Sequence, residues 1–185
     1  MPRIAPLDPP YPAEIQASFD AVMQGAPPLM LFRTLATSER AWRKFRAGSL
    51  LDRGPLSLRE RELVIDRTCA LAGCEYEWGV HVAIFAEPAG LTPDEVAATA
   101  GAGSLSPLWS PAERALLQAV EALNAGARLD DDQFADLRAH YDDAQVLEIL
   151  LLCGFYRMVA YVANGLDLPL EADAARFSST SRSAA

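Results

Sequence analysis

The chain has 185 residues, of which 51% are apolar and 22% charged. That is an ordinary composition for one globular domain burying roughly 70% of its unfolded surface. A formal net charge of −9 repels phosphate backbones, so no nucleic-acid partner is expected. The start, MPRIAPLDPP, has no apolar h-region, and no export signal is expected. The apolar run 146–153 is short against the ~20 residues of a membrane span, so no membrane partner is expected either. Three cysteines, an odd number in a chain without an export signal, point to a reducing cytoplasm rather than a disulfide framework.

In chain order, residues 1–12 carry prolines at 2, 6, 9, 10 and 12 and read as an extended arm. Residues 13–25 place Ile15, Phe19, Val22 and Met23 at helical spacing. Residues 29–36 form a short apolar segment. Residues 38–48 form a basic amphipathic helix with Trp42 and Phe45 inward, opened by Ser38. Helices are then expected at 57–72, 74–87, 92–100, 110–125, 130–140 and 143–164. Ser57 with Glu60 is a capping box. Thr92-Pro93 and Ser110-Pro111 repeat it with proline in the first helical position, and Asp130 with Gln133 is a weaker version. Gly73, Gly90, Gly101 and Gly126 fit left-handed helix ends. No stretch alternates like a strand, so the fold class is all-α. The domain plan is a single helical domain over 13–170, with a disordered tail over 171–185. Residues 143–168 echo 60–91, with Gly154 in the place of Gly73, which suggests a duplicated helical hairpin.

The strongest chemical signal lies in 57–91. Cys74, Glu77 and His81 fall along one side of a helix, in company with Trp78, Ile84 and Phe85. A carboxylate and an imidazole on an apolar face are costly to bury unless they serve each other or a ligand. A Glu77–His81 pair would favour imidazolium and orient the ring; the alternative is a solvated surface pair. Glu62 lies on the preceding helix, on a stripe with Ile65, Cys69 and Ala72; taken alone it reads as a solvated partner of the helix dipole. Cys74 gains from a helix N-terminus and loses from nearby glutamates. Cys69 and Cys153 read as small core residues. His140 reads as complementing a helix C-terminus. Arg157 could anchor a carboxylate or pair Glu148 in a subunit contact, and the second is favoured. Glu62, Glu77 and His81 make a poor metal set, and no metal or cofactor is expected.

The order Glu62, Cys74, His81, within REREL…AGCEYEWGVHV…AGL, resembles the carboxymuconolactone decarboxylase family, which includes alkylhydroperoxidase D-like proteins. The later stretch WSPAERALLQAVEAL…YDDAQVLEILLLCGFY is similar to longer members. The resemblance implies an all-helical fold assembled as trimers or hexamers. It implies that Glu62 and His81 are a proton relay beside Cys74. The redox branch carries a second cysteine where this chain has Glu77, so an intramolecular disulfide cycle of that type cannot run. The favoured expectation is a cofactor-independent lyase or decarboxylase acting on a small lactone or organic acid through His81, Glu62 and Glu77, with Cys74 lining the pocket. The rivals are a thiol peroxidase using Cys74 and a non-catalytic oligomeric protein.

Overall fold

The computed structural model describes residues 2–178, and the regular elements in that span are all helical. They are α1 (Ala13–Met23), α2 (Met30–Leu35), α3 (Glu39–Ala47), α4 (Leu58–Leu71), α5 (Glu75–Phe85), α6 (Pro93–Ala100), a 3₁₀ turn (Gly103–Leu105), α7 (Pro111–Gly126), α8 (Asp131–Arg138) and α9 (Asp143–Gly165). The apolar segment expected at 29–36 is the short helix α2.

The starts follow local chemistry. Capping boxes form at Ser57/Glu60, Thr92/Glu95, Ser110/Glu113 and Asp130/Gln133, and a further one at Asp142/Gln145 opens α9. The ends agree only in part. Gly73 and Gly90 sit at φ +61° and +68°. Gly101 has φ −111°, and Gly126 is still helical, with Ala127 taking the left-handed position at φ 52°.

α4 is the centre, packed against α5, α6, α7 and α9. Leu63, Val64, Ile65 and Cys69 are completely buried. Burying each large aliphatic side chain contributes about 1.5–3 kcal/mol, so α4 is gripped from all sides. Arg59 ties its start to α6 and α7 through Glu95 and Glu113 at 2.5 and 2.6 Å. A second cluster of rings (Tyr11, Phe19, Trp42, Phe32, Phe45 and Phe155) fastens the N-terminal segments to α9.

Two expectations about α9 are corrected. By length and composition it is apolar enough to cross a membrane, which the shorter run at 146–153 did not suggest. Its inner face, with Ile149, Leu152, Tyr156, Val159 and Ala163, is nonetheless core. Gly154 lies inside this continuous helix and breaks nothing. The stretch is therefore one helix, not a second copy of the α4–α5 hairpin.

The tail expected from residue 171 is attached as far as 178. Ala175 N–H donates to Gly79 O at 3.0 Å and Phe177 N–H to Glu75 Oε1 at 2.9 Å. Phe177 also packs on Trp78 with ring centroids 4.9 Å apart. Glu171 Oε1 accepts from Met30 N–H at 2.6 Å and from the Tyr76 hydroxyl at 2.5 Å. These bonds make 171–178 a strap across α5. The rest of the expected tail lies outside the described residues. The N-terminal arm is extended as read, with Leu7 N–H donating to Arg33 O at 3.1 Å.

Candidate active site

The hairpin between α4 and α5 sets the site. Cys74 N–H donates to Cys69 O and Gly73 N–H to Ala70 O, with Gly73 at positive φ. These two bonds are a Schellman motif, and the left-handed residue at its centre favours glycine. The turn leaves Cys74 as the residue that opens α5 and lays α5 back along α4.

This return brings Glu62 and His81 together. His81 Nδ1–H donates to Glu62 Oε2 at 2.7 Å. Glu77 Oε1 stands 3.5 Å from His81 Nε2, a charge contact longer than an ordinary hydrogen bond. The second oxygen of Glu77, Oε2, is buried with no hydrogen-bond partner among the described residues. Glu62 is 1% exposed, His81 3% and Glu77 6%, and Cys74 is fully buried. The solvated readings of Glu62 and of the Glu77–His81 pair are thereby overturned. The outer side of the ring is held by Tyr156, edge-on with centroids 5.0 Å apart, and by Phe85 at 5.3 Å. Ile84, expected on this apolar face, is half exposed.

Arg61 closes the cluster. Its Nε–H donates to Glu62 Oε1 at 3.0 Å, its Nη1–H to Leu51 O at 3.0 Å, and its guanidinium lies 5.5 Å from the Phe85 ring centroid. Arg61 and Phe85 are partly exposed and form the solvent-side cover of the buried cluster.

Charges in this buried set are strongly coupled. Burial pushes His81 towards its neutral form, but the hydrogen bond to Glu62 and the adjacent Glu77 outweigh it and raise its pKa to about 10. His81 is therefore an imidazolium at neutral pH, a proton donor held between two carboxylates. Burial raises the Cys74 thiol to about 11, although the backbone N–H groups of Glu77 and Tyr76 work the other way. Cys74 is a thiol rather than a thiolate at neutral pH.

Asp66 is a member of this cluster that sequence reading missed. One turn beyond Glu62 on α4, it is 1% exposed, and its Oδ1 has no hydrogen-bond partner among the described residues. Burial raises its pKa well above the carboxylate range; His81 opposes this and Glu62 adds to it. Burial thus favours the protonated form of Asp66 beside Glu62 and His81. Its spacing from Glu62 was the available signal. Cys69 and Cys153 are buried as expected. His140 is exposed near the end of α8 and lies away from the cluster. Within the chain Arg157 bonds Asn124 Oδ1 and the Tyr161 hydroxyl, while Glu148 lies against Gly54.

The arrangement is a helical protein with a buried Glu–His–Glu cluster at a hairpin beside a cysteine. The model of the carboxymuconolactone decarboxylase family matches residues 36–122, which include the entire cluster. The fold agrees with solved structures at low sequence identity. An uncharacterised peroxidase-related protein from Silicibacter sp. TM1040 superposes with a TM-score of 0.81 at 21% identity, covering 93% of each chain. An alkylhydroperoxidase AhpD core protein from Ralstonia eutropha JMP134, also peroxidase-related, gives 0.79 at 21% identity over 93% of each chain. A variant of the debrominase Bmp8 in complex with 2,3,4-tribromopyrrole gives 0.74 at 18% identity over 92% of each chain. No curated protein matches the sequence. Residues 36–122 thus match the carboxymuconolactone decarboxylase family, and the chain shares the all-helical fold of alkylhydroperoxidase D-like structures.

Proposed function

We propose that the protein is a cofactor-independent acid/base enzyme of the decarboxylase type, acting on a small lactone or organic acid. The observation that carries this reading is the imidazolium of His81, buried between Glu62 and Glu77. As the substrate's C–CO₂ bond breaks, CO₂ leaves and the electron pair stays on the adjacent carbon as an enolate-like anion. The Nε2–H of His81 supplies the proton that quenches it. Glu62 holds the ring through Nδ1, and the Glu77 carboxylate, 3.5 Å from Nε2, favours the charged ring. The neutral imidazole left behind regains its proton from solvent once the cover opens. A positioned general acid contributes about 10²–10⁴-fold. Screening lactones and small carboxylic acids, then comparing His81→Ala, tests the reading. Loss of kcat on that scale with the fold intact is expected, and full activity in the variant would overturn it.

A thiol reading rests on Cys74, which opens α5 with backbone N–H groups of Tyr76 and Glu77 directed at it. Peroxide-dependent sulfenic acid at Cys74 would be its mark. The raised thiol pKa and Glu77 in place of a second cysteine favour the acid/base reading.

We further propose a cytoplasmic homo-oligomer, a trimer or hexamer. Three free buried cysteines and the outward apolar residues Leu147 and Leu151 of α9, 61% and 59% exposed in the single chain, support this.

A further inference from the structure

A cavity of about 310 Å³ lies between α7 and α9, lined by Thr68, Val120, Leu123, Asn124, Leu150, Cys153 and Arg157 among others. Neither Glu62, Glu77 nor His81 reaches it. Its volume is at the small end of ligand pockets, roughly 300–1,000 Å³. The walls from Val120, Leu123, Leu150 and Cys153 are apolar.

Arg157 is the one charged side chain of the lining. Arg157 forms no ion pair among the described residues. Its Nη1–H meets Asn124 Oδ1, its Nε–H meets the Tyr161 hydroxyl at 3.3 Å, and its guanidinium lies 5.5 Å from the Tyr161 ring centroid. These contacts fix the guanidinium yet leave further N–H groups of its fork unused. Thr68 is 3% exposed, and its Oγ1 has no oxygen or nitrogen partner among the described residues; the Cys153 thiol is within its reach. The lining contains no aspartate or glutamate, in a chain whose net charge is −9. A guanidinium in an acid-free lining, beside a buried hydroxyl with no oxygen or nitrogen partner among the described residues and above an apolar floor, suits an anionic head on an apolar body. A carboxylate matches the planar guanidinium fork.

We propose that this cavity is a binding site for a small apolar monocarboxylate, its head on Arg157 and Thr68 and its body against Val120, Leu123 and Leu150. The site is separate from the relay at His81 and does not depend on the acid/base reading.

Benzoate is the probe, and calorimetric titration of the full chain is the measurement. Benzoate is expected to bind once per chain, with benzamide roughly tenfold weaker because the ionised head is lost. Arg157→Gln is expected to weaken benzoate by roughly tenfold or more, leaving benzamide unchanged, while Arg157→Lys restores part of the binding. Gly154 lines the cavity, and a Cβ there would meet nothing within 4 Å. Gly154→Leu should therefore fold and obstruct both probes. His81→Gln should bind benzoate as the parent does. The proposal falls if the folded parent takes up no benzoate at about 10 mM, if binding survives Arg157→Gln, or if it is lost in His81→Gln.

Discussion

Glu62 and His81 meet at 2.7 Å although nineteen residues separate them, and this one bond couples the hairpin geometry to the charge of the site. Glu62 is pinned from its other oxygen by Arg61 at 3.0 Å, so the imidazole faces an acceptor that cannot readily turn away. Removing the carboxylate charge while keeping its shape isolates this coupling. In Glu62→Gln, His81 keeps only Glu77 as an anionic neighbour and surrenders its proton at lower pH. The alkaline limb of the kcat profile should move to lower pH, and kcat should drop by about 10–100-fold. An unmoved limb would show that Glu62 does not set the proton affinity of His81.

Stability should carry the same signature. The His81 pKa rises from 6.5 to about 10 on folding, so the folded state binds the proton more tightly than the unfolded chain. The resulting stabilisation is fully present below about pH 6.5 and is lost as pH climbs through about 10. Urea midpoints of the parent should fall across that interval, and those of His81→Gln should fall less. Parallel slopes in the two proteins would contradict the assignment.

Cys74 should be slow. A fully buried thiol with its pKa pushed up to about 11 offers little thiolate to an alkylating reagent at neutral pH. Mass spectrometry after iodoacetamide at pH 7 should find it largely unmodified, with or without hydroperoxide, and Cys74→Ala should retain most activity. Rapid alkylation or a peroxide-dependent adduct at Cys74 would move the function to the thiol reading.

The parts of this fold that were legible in the sequence are those set by neighbours a few residues apart. Ser57, Thr92 and Ser110 each cap a helix with the glutamate three positions on, and the chemistry is complete within one turn. Gly73 was legible for the same reason. Gly154 was misread because a glycine permits a helix end without requiring one, and here the helix runs on, packed against α4. Glu62 looked solvated because its partner comes from another helix. Asp66 was overlooked because its role is set by desolvation, which only the assembled core supplies. The strap at 171–178 was missed because its bonds join groups far apart in the chain, Glu171 to Met30 and Tyr76 and Phe177 to Glu75, with no local pattern to mark them.

Asp66 offers a test with the opposite outcome from most core substitutions. Burial favours the protonated form of its carboxyl, so ionisation in the unfolded chain draws stability away as pH rises above the ordinary value of 3.8. Asp66→Asn keeps the shape and removes the titration. The variant should match the parent near pH 4 and melt a few degrees higher at pH 8. A lower melting temperature at pH 8 would mean that the acid makes a bond the amide cannot replace.

Gly79 decides whether the strap can lie on α5. Inside a helix, replacing glycine with alanine normally stabilises by roughly 0.5–1 kcal/mol. Here a Cβ on Gly79 would stand 2.3 Å from Ala175 O, the residue whose N–H bonds Gly79 O. That backbone oxygen belongs to the strap and cannot yield without breaking the bond and lifting Phe177 from Trp78. Gly79→Ala should therefore lose the benefit of helix propensity, quicken protease cleavage within 171–178 and shift the tryptophan emission to the red. Truncation after residue 170 should give the same emission change, because both remove Phe177 from the Trp78 ring. Gly79→Ala with an unchanged cleavage rate and spectrum would mean that the strap has room to shift, and that the contact at Gly79 is not what holds it.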